Sequence, residues 1–213
     1  MKNLFTLSIM LCLAGMVMAQ ESYDKRIFET QEMTFYGYDY SHFKLADAKK
    51  FAKSKEDKDN MVSIWTAWLN KYITQDLLQK RMFKTKVTMN GSVTEAINQK
   101  YTLADNLVEE RYFLEKKNIP TWIKSYNLTE TDGLGFVAIM ECYDRNKDKA
   151  SMYFVFFDIA SREILANIPF ETKEADGGGL EEYWGKAAEF NFKKYIADHY
   201  KKAYKDYEKS LEQ

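Results

Sequence analysis

The chain has 213 residues, 46% of them hydrophobic and 30% charged, with only 2 Pro and 9 Gly, a composition that excludes disordered and fibrous proteins. Lysine and arginine total 31 against 32 acids, a formal net charge of -1. No global basic field points toward nucleic acid, which is excluded as a partner class.

In chain order, Met1, Lys2 and Asn3 precede an apolar run over residues 4–18, which closes on Val17-Met18-Ala19 with compact residues at -3 and -1. This predicts a secretory signal cleaved after Ala19, because about 15 apolar residues fall short of the roughly 20 that span a bilayer. Cys12 lies inside the run without the spacing of a lipidated signal, so no lipid anchor is expected. Removing residues 1–19 takes away one lysine and no acids, leaving 30 bases, 32 acids and a net charge of -2 over 194 residues. No second spanning run remains, so the mature protein is read as exported, periplasmic or extracellular, and not integral to a membrane. Cys142 is its sole cysteine, which forbids an internal disulfide, and stability must come from a single core of ample size.

Residues 20–31 are polar and without period, and are expected to be loose. Phe35, Tyr36, Tyr38 and Tyr40 predict a first strand over 33–40, and residues 53–60, KSKEDKDN, predict a solvated loop. Asn60 then caps a helix over 61–79 whose apolar positions Trp65, Trp68, Leu69, Tyr72 and Ile73 recur at helical spacing. A half-wet strand over 81–89 ends at the turn pair Asn90-Gly91, followed by a helix over 92–106 and a helix-leaning stretch over 107–117. Pro120 suits the first turn of a short amphipathic helix carrying Trp122, Ile123 and Tyr126.

The most β-rich part is a hairpin, 136–143 and 151–159, joined by the polar hexad 144–149. Apolar residues alternate on both sides of each arm, so the hairpin must be covered on two faces. A strand over 164–170 leads to Gly177, Gly178 and Gly179, and a long helix over 180–211 follows with the stripe Trp184, Ala188, Phe192, Tyr195, Ile196, His199, Tyr200, Tyr204 and Tyr207. No repeat or linker interrupts residues 20–213. The expected architecture is a single α/β (α+β) domain of two or three layers, a mixed sheet centred on the hairpin with the helices at 61–79 and 180–211 packed against it.

Chemistry-bearing patterns are sparse. Asp144, Asn146 and Asp148 start like a calcium loop, but Lys149 and Val155 stand where the turn glycine and the bidentate carboxylate belong, so an Asx-stabilised hairpin turn is expected. The triple glycine ahead of a helix could cradle an anion, yet Asp176, Glu181 and Glu182 surround it and no phosphate-loop lysine is present. Cys142 follows Glu141 in an inner strand and reads as an inert packed thiol. His199 falls in the stripe of the last helix and reads as a core or interface residue; with His42 the only other histidine, no zinc pattern exists. No metal or other cofactor is expected. Serine-nucleophile motifs are absent, while hydrolysis by two opposed carboxylates leaves no motif to find. Trp65, Trp68, Trp122 and Trp184 sit at helical positions that a core claims before any sugar platform. The lysines of the last helix, interspersed with acids, suit an outer face, and the triplet Asn127-Leu128-Thr129 decides nothing about glycosylation.

The runs FVAIMECYD, MYFVFFDIASREIL and GGGLEEYWGKAAEFNFKKY, with the earlier FYGYDY, resemble the C-terminal half of a group of uncharacterised exported bacterial proteins. The order of strands and helices is also similar to the small α/β domain at the front of the Tol-system periplasmic protein, without that group's lipid-anchoring cysteine. The resemblance implies an exported envelope protein and supplies no catalytic residue. The expected function is a non-catalytic binding module for an envelope protein partner, with Gly177, Gly178, Gly179, Tyr183, Trp184 and the outer face of the last helix as its surface. The alternatives are a small-molecule or glycan binder and a carboxylate-dependent glycan hydrolase.

Overall fold

The computed structural model describes residues 23–47, 49, 60–102, 104–172 and 177–213. The expected signal segment and nearly all of the charged 53–60 stretch lie outside them.

In chain order the elements are α1 (Arg26–Glu29), β1 (Glu32–Asp39), β2 (Lys44–Ala46), α2 (Met61–Tyr72), α3 (Gln75–Arg81), β3 (Lys86–Met89), α4 (Ser92–Asn98), β4 (Leu107–Val108), α5 (Ile119–Ser125), β5 (Leu134–Asp144), β6 (Lys149–Asp158), β7 (Ile164–Thr172), α6 (Gly179–Lys194), a π-helical segment (Tyr195–Tyr200) and α7 (Lys201–Ser210). The fold is α/β, with the strands joined in one mixed sheet around β5. β1 and β2 follow one another along the same edge of β5, both parallel to it, from Met33 opposite Leu134 to Ala46 opposite Asp144. β3 and β4 lie parallel outside β1 and β2 respectively. The other edge of β5 holds the hairpin partner β6, and β7 closes the sheet, both antiparallel.

Burial on both faces follows from the alternation in the hairpin. Phe136, Ala138, Met152, Phe154, Phe156 and Ile168 point to one face, under Trp65 and Leu69 of α2 and Trp184, Phe192, Tyr195 and Tyr200 of the C-terminal helical run. Val137, Ile139, Val155 and Phe157 point to the other, where Val93 of α4 and Ile119 and Ile123 of α5 cover them. The result is three layers, with the central strands dry on both sides. No helix among the described residues is long and apolar enough to cross a membrane.

Several boundaries differ from the sequence reading. Residues from Tyr23 onward are not loose: Asp24 N–H bonds the Leu165 carbonyl at 3.0 Å, Ile27 and Phe28 are buried, and the Lys84 ammonium donates to the carbonyls of Ile27 and Thr30. The 61–79 helix is two helices. Thr74 turns extended and its Oγ1 accepts the Leu77 N–H at 3.2 Å, capping α3. Asn60 makes no side-chain cap; its carbonyl receives the Ile64 N–H instead. The 81–89 strand begins at Lys86, because Arg81 still belongs to α3. The 92–106 helix stops at Asn98, and the 107–117 stretch holds the short strand β4 and irregular chain in place of a helix. In both places a tertiary partner, the edge of β1 or β2, overrides local preference.

The long C-terminal helix is interrupted by the π segment, whose wider turn puts Tyr195 and Tyr200 on one face. Tyr195 stacks on Phe154 at 3.9 Å and Tyr200 on Phe156 at 5.8 Å, while His199 is rotated out to solvent, against Phe170 at 5.1 Å and the ring of Tyr195 at 6.4 Å. The expected place of His199 in the buried stripe is therefore wrong, since that stripe assumed an unbroken period of 3.6.

Candidate functional site

The surface expected around the glycine loop is only partly a surface. Gly177, Gly178 and Gly179 are exposed, and Gly177 and Gly179 take the positive φ values of 142° and 81°. The Gly178 N–H is bonded by the Glu182 carboxylate at 3.1 Å, so the start of α6 is capped by its own side chain. Tyr183 is half-buried: the Arg145 guanidinium lies over its ring at 4.2 Å, and its hydroxyl donates to Asp148. Trp184 does not belong with them. It is fully buried and stacked on Tyr143 at 4.7 Å and 9°, because its place in the helical stripe turns it to the sheet while its neighbour Tyr183 faces out.

Asp144 Oδ1 accepts the Asn146 N–H at 2.9 Å, and Asp148 receives Arg145 and Tyr183, so the carboxylates of the hairpin hexad serve the turn. Among the described residues no three ligating side chains converge on a metal position. Cys142 is buried, and desolvation pushes its thiol up to about 11, which keeps it protonated at neutral pH.

On the second face, buried Asp39 accepts the Tyr126 hydroxyl at 2.5 Å and the Ser41 N–H at 2.8 Å. His42 lies flat on Trp122 at 3.9 Å, and burial lowers its pKa against an opposing pull from Asp39. No hydrogen bond joins His42 to Asp39, and the carboxylate is spent on the fold. Arg111 similarly spans Glu141 at 3.4 Å and Glu171 at 2.5 Å, locking the chain before α5 to β5 and β7.

A concave site forms where the edge of β1 runs out of strand partners. β3 ends at Met89, and the turn at Asn90 and Gly91 swings the chain into α4, with the Asn90 N–H on the Phe35 carbonyl at 2.8 Å. Side chains of α4 then replace the missing strand. Thr94 donates to the Tyr36 carbonyl at 2.6 Å, and Asn98 donates to the Tyr38 carbonyl and accepts from the Tyr40 N–H, each at 2.8 Å. The close approach requires Gly37, whose φ is 83° and where a Cβ would sit 2.9 Å from Thr94 Oγ1. The bulge there shifts the register of β1 against β5, so that Phe35 and Tyr38 share a face.

Between α4 and the side of α2 turned away from the core lies a groove of about 500 Å³, walled by Ser63, Thr66 and Asn70 and, opposite, Glu95, Gln99 and Tyr101. A second lobe of about 340 Å³ continues from it, sharing Asn70 and Glu95 and floored by Phe35, Ile73 and Met89. Both volumes fall in or near the range of small-ligand sites. Thr66 Oγ1 and the Tyr101 hydroxyl are buried and have no hydrogen-bond partner. Burial also raises the Tyr101 pKa far above its ordinary value, so the phenol is a neutral donor and acceptor. None of these groove residues was singled out from sequence as a site: Ser63, Thr66 and Asn70 read as the wet side of an amphipathic helix. The only available signal was the choice of uncharged polar residues there, in a chain that is 30% charged.

No family model matches the chain, and no curated protein or solved structure matches it either.

Proposed function

We propose that the chain is an exported, non-catalytic binding module of the cell envelope or exterior, taking its ligand in the two-lobed groove between α2 and α4. The observation that carries this is the groove itself, with the unpartnered Thr66 hydroxyl in a wall of uncharged polar side chains. Export is supported by the apolar run ending at Val17-Met18-Ala19 and by the resemblance to exported bacterial proteins. Binding is favoured over hydrolysis because the described lining offers one carboxylate, Glu95, where glycoside hydrolysis uses two.

The test is thermal melting of residues 20–213 with small-molecule fractions of the source culture, alongside an Ala67→Trp variant, since Ala67 lines the groove and is exposed. A ligand at a hundred times its dissociation constant adds about 2.7 kcal/mol, a shift that at least one fraction should produce in the native protein and none in the variant. Equal shifts in both, or none in either, would remove the groove from the function.

A second reading, docking of an envelope protein, is favoured by the Tyr183 platform that Arg145 and Asp148 hold at the hairpin tip beside the exposed Gly177, Gly178 and Gly179. Tyr183→Ala, with the fold intact, should then release a partner that the native protein retains in cross-linked cells. A retained partner would end that reading.

A further inference from the structure

Resting on the binding-module reading, we infer that the groove takes an uncharged linear oligosaccharide laid across both lobes. The first lobe is walled by side chains that both donate and accept, the amides of Asn70 and Gln99 and the hydroxyls of Ser63 and Thr66. Sugar hydroxyls also donate and accept, and so can use every one of them. A cation would use only the acceptors. An anion would meet no lysine or arginine among the described lining residues of either lobe, and would face Glu95 instead.

The second lobe differs in a way that suits the same ligand. Over a floor closed by Phe35 and Ile73, the exposed Met89 side chain offers apolar surface to the C–H face of a sugar ring, and Gln75 and Thr74 stand at its rim. The lobes meet at Asn70 and Glu95, which places an amide and a carboxylate at the junction between successive sugar units. Two lobes in series, each polar on one wall, suit a short chain better than a single ring.

The unpartnered Thr66 hydroxyl supplies the specificity. A buried hydroxyl without a partner is rare in a folded protein, and Thr66 Oγ1 on the groove wall marks hydrogen-bonding capacity that the fold leaves unused. A ligand hydroxyl, directly or through a water it carries, would bond Thr66 Oγ1 once the Thr66 side chain turns toward it.

The experiment is calorimetric titration of residues 20–213 with maltotriose, cellotriose, chitotriose and mannotriose, against trigalacturonate and a chondroitin sulfate oligomer as charged probes. A neutral trisaccharide should bind the native protein, weaken about 3- to 10-fold in Thr66→Val, and fail to bind Ala67→Trp. The free Thr66→Val protein should melt no lower than the native one, since an unpartnered hydroxyl leaves with nothing lost; this separates a lost contact from a damaged fold. Binding of the charged probes alone, or neutral binding undiminished in both variants, would overturn the inference. If a culture fraction raises the melting temperature through the groove while no neutral trisaccharide binds, the ligand class is wrong and the binding module stands. If neither binds, both fall.

Discussion

Gly185 lies inside α6 against Trp68 of α2, and replacing it with alanine sets two effects in opposition. In an open helix Gly→Ala gains about 1 kcal/mol, from reduced backbone entropy in the unfolded chain. Here an added Cβ would sit 2.7 Å from Trp68 Cγ and 2.9 Å from Cδ2, well inside contact distance. The indole cannot swing away freely, because its Nε1–H donates to Glu189 at 3.0 Å and its ring packs on Tyr72 at 5.2 Å. Overpacking costs about 1–3 kcal/mol, and weakening a hydrogen bond to a carboxylate adds roughly 1 kcal/mol more. After subtracting the helix gain, Gly185→Ala should destabilise by about 1–3 kcal/mol, a fall in Tm of about 2–12 °C for a chain of this size. Urea unfolding of a double-mutant cycle measures the coupling: with Trp68→Ala as the background the clash is gone, and the same substitution should stabilise by up to about 1 kcal/mol. The reasoning fails if Gly185→Ala stabilises the native protein, or if its effect is the same in both backgrounds.

Arg111→Met should cost about 3–5 kcal/mol in urea melts, because it leaves the buried Glu141 carboxylate without its cation, while Glu171 keeps Lys149. Lys84 is buried with only carbonyl partners, and desolvation lowers its pKa from the ordinary 10.5 to about 8 in the folded state. The unfolded chain thus holds more protons between those values, so stability from this residue rises as pH goes from about 8 toward 10 and is lost as pH falls through about 8. Relative to Lys84→Met, the native Tm should climb between pH 8 and 9.5; a constant difference would refute the assignment. Cys142 should resist a disulfide reagent at pH 8 in the native state and react promptly in denaturant, since burial holds the thiol up to about 11. Prompt native reaction would mean that β5 opens locally.

How far the sequence could be read depended on how local the deciding interaction was. The hairpin of β5 and β6 was legible because alternation over ten residues on each arm has one physical outcome, a strand dry on both faces. The turn between them was legible for the same reason, Asp144 bonding a backbone N–H two residues on. Thr74 at the α2–α3 break carried a usable capping signal, but the apolar spacing running through Ile73 to Leu77 masked it. The π segment carried none: Tyr195, His199 and Tyr200 fit an unbroken stripe until the rings of Phe154 and Phe156 select which of them turn inward.

The candidate site divides along the same line. Tyr183 and Trp184 are adjacent and aromatic, and only the sheet beneath α6 separates the buried ring from the half-exposed one. The groove was beyond reach, since its walls lie about thirty residues apart and meet only because α4 lends Thr94 and Asn98 to the bare edge of β1. Composition and period alone decide that residues of this kind make strands, helices and one core, because burial and hydrogen-bond satisfaction act within a few residues. Which polar side chains end up facing one another across a cavity depends on how the sheet is interrupted and what fills the gap. That is a property of chain segments meeting in space, settled by packing that no local pattern records.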